Sequence, residues 1–208
     1  MTSSRDHSAD RRQHAGQWIL LDAGLRLLAI GQALYHGTSP RASLDLTARR
    51  ILLPQLASAG ADRWPRSTVT EDFGRRWIVH IRPILGAASG QLVAVLGCYG
   101  PADTQLPEPP LVGSWEWLVT PPGPNQQMRI YWSTETFAVY GMHPPTGRGP
   151  HWWEAPQWLD EVVAESHRPG VRRILERFLA TPSGALRIHR FAARSIDAGH
   201  VHALRLAG

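Results

Sequence analysis

Ten residues near the middle of the chain, Pro101-Ala102-Asp103-Thr104-Gln105-Leu106-Pro107-Glu108-Pro109-Pro110, include four prolines. Each proline fixes its own φ and lacks a backbone N–H, so the segment can be neither a helix nor a central strand. It reads as a semi-rigid, polyproline-like spacer. Cutting 208 residues there leaves two stretches, each of about 100 residues and long enough to bury its own core. The expected organisation is a polar tail over 1–16, a first domain over 17–100, the linker over 101–111 and a second domain over 112–208.

Residues 1–16 carry no hydrophobic period, and order is expected from Trp18. Residues 18–21 and 25–31 read as two short strands around Asp22-Ala23-Gly24, with a helix as the alternative. Ser43 is placed to cap a helix carrying Leu44, Ala48, Ile51 and Leu52, with Asp45 and Arg49 spaced to pair; Pro54 interrupts it and Gly60 ends it. Strands over 67–71, 76–85 and 91–99 then form an antiparallel meander, with Trp77, Val79 and Ile81 on one face of the middle strand.

In the second half, residues 113–119 form a strand with Trp115 and Trp117 on one face, and 128–132 form another. Ser133 with Thr136 starts a short helix. Trp158, Leu159, Val162 and Val163 mark a second helix. Val171, Ile174, Leu175, Phe178 and Leu179 mark a third, the best supported in the chain, with Pro169 near its start and Pro182 beyond its end. Residues 186–196 and 201–206 close the chain as a hairpin.

A hydrophobic share of 43% with 19% charged residues places the chain among folded proteins. All 22 basic residues are arginine, which removes lysine-based Schiff-base and Walker-type chemistry and fits a GC-rich genome. The net charge of +5 is spread among acids without a recognition motif, so nucleic acid is not the expected partner. The single cysteine, Cys98, excludes an internal disulfide and reads as a small buried hydrophobe. With no apolar signal region and no run long enough to span a bilayer, a cytoplasmic location is expected. No esterase, Walker, zinc-protease or dinucleotide motif is present, and Glu116, His167 and Asp197 remain unplaced, so no catalytic residue is assigned and an enzyme is not expected.

The two halves share an order of short strands, helices and then antiparallel strands. Arg82-Pro83-Ile84-Leu85 followed by residues 92–97 parallels Arg194-Ser195-Ile196-Asp197 followed by residues 201–208. Gly113-Ser114-Trp115-Glu116-Trp117, Tyr131-Trp132-Ser133-Thr134-Glu135, Tyr140-Gly141 and Glu165-Ser166-His167-Arg168 resemble segments of the PAS superfamily, specifically its fold-3 type. The N-terminal half resembles a degenerate PAS or GAF-like domain, as in an uncharacterised actinobacterial family. The resemblance implies an α+β fold of two consecutive PAS-like domains, each an antiparallel sheet with helices on one face. It departs in two respects: only two strands follow the long helix where a PAS sheet has three, and no output domain of its own is expected, so the module would act through other proteins.

The resemblance implies a regulatory sensor or scaffold acting through a protein partner, with a homodimer expected and an exposed sheet edge as the place for a partner to add. Trp132, Tyr140, Trp152, Trp158 and Phe178 are the expected lining of a pocket for an apolar or aromatic ligand; the plainer reading is that these aromatics fill the core. Haem held by His167 or His189 is an alternative, and a small cone-shaped α+β enzyme or carrier is another. His200 and His202 share a strand face without a third ligand, so no metal site is assigned.

Overall fold

The computed structural model describes residues 14–120, 127–146, 151–163, 165–180, 187–196 and 203–207; for His36, Phe178, Leu179 and everything from 187 onward it describes the backbone alone. The protein is α+β; among the described residues it has a six-stranded antiparallel sheet, a five-stranded antiparallel sheet and helices. The chain divides into two units: Met1–Pro83 with Ala94–Pro109, and Ile84–Val93 with Pro110–Gly208. One break falls in the proline-rich segment, while residues 84–93, expected with the first domain, group with the second unit.

The first unit starts with the expected hairpin, β1 (Ile19–Asp22) and β2 (Leu27–Ile30), every residue of which is buried. The Asp22 carboxylate organises its turn by accepting the Arg26 backbone N–H at 2.8 Å and Arg26 Nε at 2.7 Å. Then follow β3 (Ala33–Thr38), a short helix α1 (Pro40–Ser43), a π-helical turn (Ala48–Leu52) and α2 (Leu53–Asp62). β4 (Arg66–Asp72), β5 (Arg75–Leu85) and β6 (Leu92–Pro101) form the expected meander. The strand order is β3-β2-β1-β6-β5-β4, and Ile51, Leu52, Leu56 and Ala59 of the helical segment are buried with Trp77, Val79 and Ile81 of β5.

Three expectations are corrected here. Pro54 does not interrupt the helix: it sits in the first turn of α2, just after the π-helical turn, and the chain stays helical to Asp62. The wider turn before it accommodates a residue that cannot donate its N–H. Gly60 lies inside α2, and Arg63 at φ 64° is the residue that ends it. Finally, the cap is Asp45 and not Ser43: its Oδ1 accepts the Ala48 N–H at 2.8 Å.

Asp45 also overturns the expected start of order at Trp18. Its Oδ2 accepts the His14 backbone N–H at 2.8 Å and the Tyr99 hydroxyl at 2.5 Å, while its own N–H donates to His14 Nδ1 at 3.2 Å. His14 is only 4% exposed, and Gly16 N–H donates to the Tyr99 carbonyl at 2.7 Å. The segment is held by hydrogen bonds rather than by apolar residues, so a search for hydrophobic period passes over it. Arg49 meets the Asp45 backbone carbonyl and not its carboxylate.

Burial opposes ionisation of Asp45, but the Tyr99 hydroxyl and the Ala48 and His14 N–H groups outweigh it and hold the carboxyl below its ordinary 3.8. The folded state therefore favours the ionised form. That contribution to stability is complete above the ordinary value and is lost as pH falls through the lower, folded one. Asp45→Asn is expected to be less stable than the native chain at neutral pH, with the gap closing below pH 3.8; urea midpoints measured across that range check it. Cys98 in β6 is fully buried, and burial pushes its thiol up to about 12, which leaves it protonated and unreactive.

In the second unit β7 (Val112–Val119), β8 (Met128–Trp132) and a strand not foreseen in the sequence, β9 (His151–Glu154), join β10 (Arg187–Ile196) and β11 (Ala203–Ala207) in the order β11-β10-β7-β8-β9. The helices are α3 (Thr134–Val139), α4 (Ala155–Glu161) and α5 (Arg168–Ala180). The repeated hairpins do not hold equivalent places. In the first sheet the second arm, β6, lies beside β1; in the second sheet the first arm, β10, lies beside β7. Two described strands follow α5, as the sequence suggests, and β9 adds at the other edge. The turn over 197–200, with His200 and His202, lies outside the described residues.

Candidate ligand cleft of the C-terminal unit

Strand alternation sends Trp115, Trp117 and Val119 of β7 to one face of the sheet, where the register sets them opposite Trp132, Ile130 and Met128 of β8. Trp153 and His151 continue that face on β9, opposite Ile130 and Trp132. The amphipathic helices then close over it: Phe137 of α3, Trp158 and Leu159 of α4 and Leu175 of α5 complete a single buried cluster.

The aromatic rings pack against one another. Trp132 stacks on Tyr140 with centroids 4.6 Å apart and on Trp115 at 5.8 Å, and meets Phe137 edge-on at 5.0 Å. Trp158 meets Trp115 edge-on at 5.5 Å. Such offset and edge-to-face pairs are the favoured aromatic geometries. Burial raises the Tyr140 phenol, keeping its proton on. The indole N–H groups of Trp115, Trp132, Trp153 and Trp158 are buried, and none meets an acceptor among the described residues.

At the Met128 end of this cluster the packing opens into a cleft of about 430 Å³. Its floor is Met128, Ala155, Leu159 and Leu175, all members of the buried cluster. Its rim is polar, with Arg172 the cation and Glu154, Asp160 and Glu176 the acids. The walls are α4 and α5, and Arg168 at the start of α5 ties them by donating to the carbonyls of Asp160 at 2.5 Å and Val163 at 2.9 Å. This is an arginine capping orphan carbonyls at a helix C-terminus. An apolar floor beneath a polar mouth suits a small molecule with an apolar body and a polar end that accepts a hydrogen bond from Arg172.

The residues expected to line a pocket fall into three groups. Trp132, Tyr140 and Trp158 are brought together, but against each other as core. Trp152 is turned to the opposite sheet face beside Tyr131 and is 47% exposed, with the Arg129 guanidinium 4.5 Å from its ring centroid. The Phe178 side chain lies outside the described residues. His167 is exposed in a short 3-10 turn just before α5; His189 pairs with Trp117 in the sheet register, and its side chain lies outside the described residues.

The cleft itself was legible only in part. Leu159 and Leu175 stand in the two helical stripes, but that the stripes part at Met128 and leave Arg172 at the mouth depends on packing between distant elements. Among the described residues no three His, Cys, Asp or Glu side chains gather as a metal group would require, and none of the described helices is long and apolar enough to cross a membrane.

On the other face of β7, Glu116 is fully buried. Its Oε2 accepts the N–H groups of Ala88 at 2.7 Å and Ser89 at 2.8 Å, and its Oε1 accepts the Ser89 hydroxyl. Ser114 Oγ donates to the Leu85 carbonyl at 2.6 Å. Loop 86–90 thus covers that face of the strand, and the carboxylate that the sequence left unplaced anchors it.

No family model matches the chain, and no curated protein matches it. Among solved structures it resembles an uncharacterized protein from Mycobacterium tuberculosis known from a crystal structure, with a TM-score of 0.57 and 16% identity. The likeness covers 91% of this chain and 61% of that one, so this chain spans less than two thirds of that protein's length. At that identity the likeness speaks for the fold alone.

Proposed function

We propose that the protein is a non-enzymatic, PAS-like sensory module of the cytoplasm whose C-terminal unit binds a small molecule with an apolar body and a polar, hydrogen-bond-accepting end. The carrying observation is that the floor of the cleft is made of the same residues that hold α4 and α5 to the sheet. A ligand seated on Met128, Leu159 and Leu175 touches the helix packing directly, and it shifts the module between two helix arrangements by its difference in affinity for them. A protein partner reads that shift. The sequence resemblance of residues 113–117, of residues 131–135 and of Tyr140-Gly141 to fold-3 PAS segments supports the same reading.

8-Anilinonaphthalene-1-sulfonate, an aromatic anion, is a direct probe. The full chain is expected to bind it with a blue-shifted emission. Arg172→Glu, a change at an exposed rim position, is expected to raise its dissociation constant about tenfold through loss of one charge-assisted contact. A wild-type chain that gives no such emission, or a variant that binds equally well, counts against the cleft.

A further inference from the structure

We propose that the first unit forms a two-fold symmetric dimer by antiparallel pairing of its edge strand β4 with β4 of a second copy of the chain, centred on Val69. This does not depend on the cleft or its ligand.

β4 is the last strand of its sheet, runs seven residues and pairs with β5 without a bulge. Natural edges of this length are guarded by lysine, proline, bulges or inward charges, because the unpaired N–H and C=O groups otherwise recruit another strand. The centre of β4, Ser67-Thr68-Val69-Thr70, carries none of these. Apolar exposure gathers at the same edge: three of the eight large hydrophobic residues exposed among the described residues are Trp64 (71%), Val69 (52%) and Phe73 (77%).

The register follows from the hairpin. β4 and β5 are joined by Phe73 and Gly74, both at positive φ (50° and 71°), a two-residue turn closed by the pair Asp72 and Arg75. In such a turn the closing pair exchanges both backbone hydrogen bonds, and bonded pairs recur at every second residue. Asp72, Thr70, Thr68 and Arg66 therefore spend their backbone groups on β5. Ser67, Val69 and Glu71 present theirs outward.

A second β4 can bond to those outward groups only if its own outward residues face them. Placing the two-fold axis at Val69 does this over the full strand. It sets Val69 opposite Val69, Ser67 opposite Glu71, Thr68 opposite Thr70 and Arg66 opposite Asp72. No like charges meet, and each end carries an Arg66 across from an Asp72. Phe73 of one copy then lies opposite Pro65 of the other, next to its Trp64, so the exposed aromatics meet at both ends of the ribbon.

The mass of the full chain by light scattering, over a range of concentrations, is expected to be twice 23.1 kDa. Val69→Pro removes only an outward N–H, so the variant is expected to keep its circular dichroism spectrum and run as a monomer. Val69→Lys, which places two cations at the axis, is expected to do the same and serves where the proline variant fails to fold. Val69→Cys is expected to be linked to its copy by a short bifunctional thiol reagent, since a hydrogen-bonded antiparallel pair sets Cα atoms about 5.5 Å apart; Ser67→Cys, whose copies sit four residues out of register, is not. A native chain that stays monomeric, a dimer that survives both Val69 variants, or equal crosslinking at both cysteine positions overturns the proposal.

Discussion

Trp132→Ala is expected to cost about 3–5 kcal/mol of stability, the range for truncating a large buried aromatic, and to be the most damaging single change in the C-terminal unit. Trp132 is 1% exposed and touches Trp115, Phe137, Tyr140 and Trp153, so the alanine leaves a cavity bounded by four rings that cannot all close on it. Trp132→Phe separates volume from polarity. It loses part of the ring volume but also removes an indole N–H buried without an acceptor among the described residues, a group whose burial itself costs about 1–3 kcal/mol. The two effects offset, and the phenylalanine variant is expected to lie much closer to the native chain. Urea unfolding followed by circular dichroism measures both; equal losses for alanine and phenylalanine would show that the N–H carries no penalty.

The second large effect is expected at Glu116. Replacing it with alanine takes the acceptor from the N–H groups of Ala88 and Ser89, which lie in a partly exposed loop, at a cost of about 1–3 kcal/mol. The site has a second, independent requirement. A Cβ on Gly86 would come within 2.7 Å of Glu116 Oε2 and closer to its other carboxylate atoms, so Gly86→Ala must push the carboxylate off its donors. In the Glu116→Ala background that obstacle is gone. The two costs are therefore expected to be far from additive, with Gly86→Ala nearly neutral once Glu116 is removed; a double-mutant cycle on urea midpoints measures this. Additive losses would mean that Gly86 matters for its backbone and not for the carboxylate.

What the sequence made legible was local. Alternation along Trp77, Val79 and Ile81 gives β5 its buried face, and the stripe from Val171 to Leu179 gives α5, because both periods are written into consecutive residues. What escaped was set by residues far apart in the chain. Asp45 meets partners 31 and 54 positions away, His14 and Tyr99. Glu116 meets a loop 27 and 28 positions away. A carboxylate inside an apolar strand signals only that partners must exist, not where they are.

The same limit applies to the candidate site. The tryptophan-rich composition marks where the second core lies, yet alternation could not set Trp152 apart from Trp153, because residues 151–154 do not read as a strand in the sequence. With β9 in place, His151 and Trp153 share the core face and Trp152 the other. The opening between α4 and α5 is a gap between two well-formed helices, and a gap has no residue pattern of its own. The repeated hairpin shows the converse: similar residues at 82–97 and 194–208 take different places in their sheets, because strand neighbours are chosen by the whole unit.

The measurement that bears most directly on the proposed function is native mass spectrometry of the purified full chain beside its Arg172→Glu variant. The account predicts a noncovalently held compound of a few hundred daltons on the native chain, a size that suits a cleft of about 430 Å³, and its loss or marked depletion on the variant. A native chain that carries no bound compound, or a compound retained equally by both proteins, would contradict it.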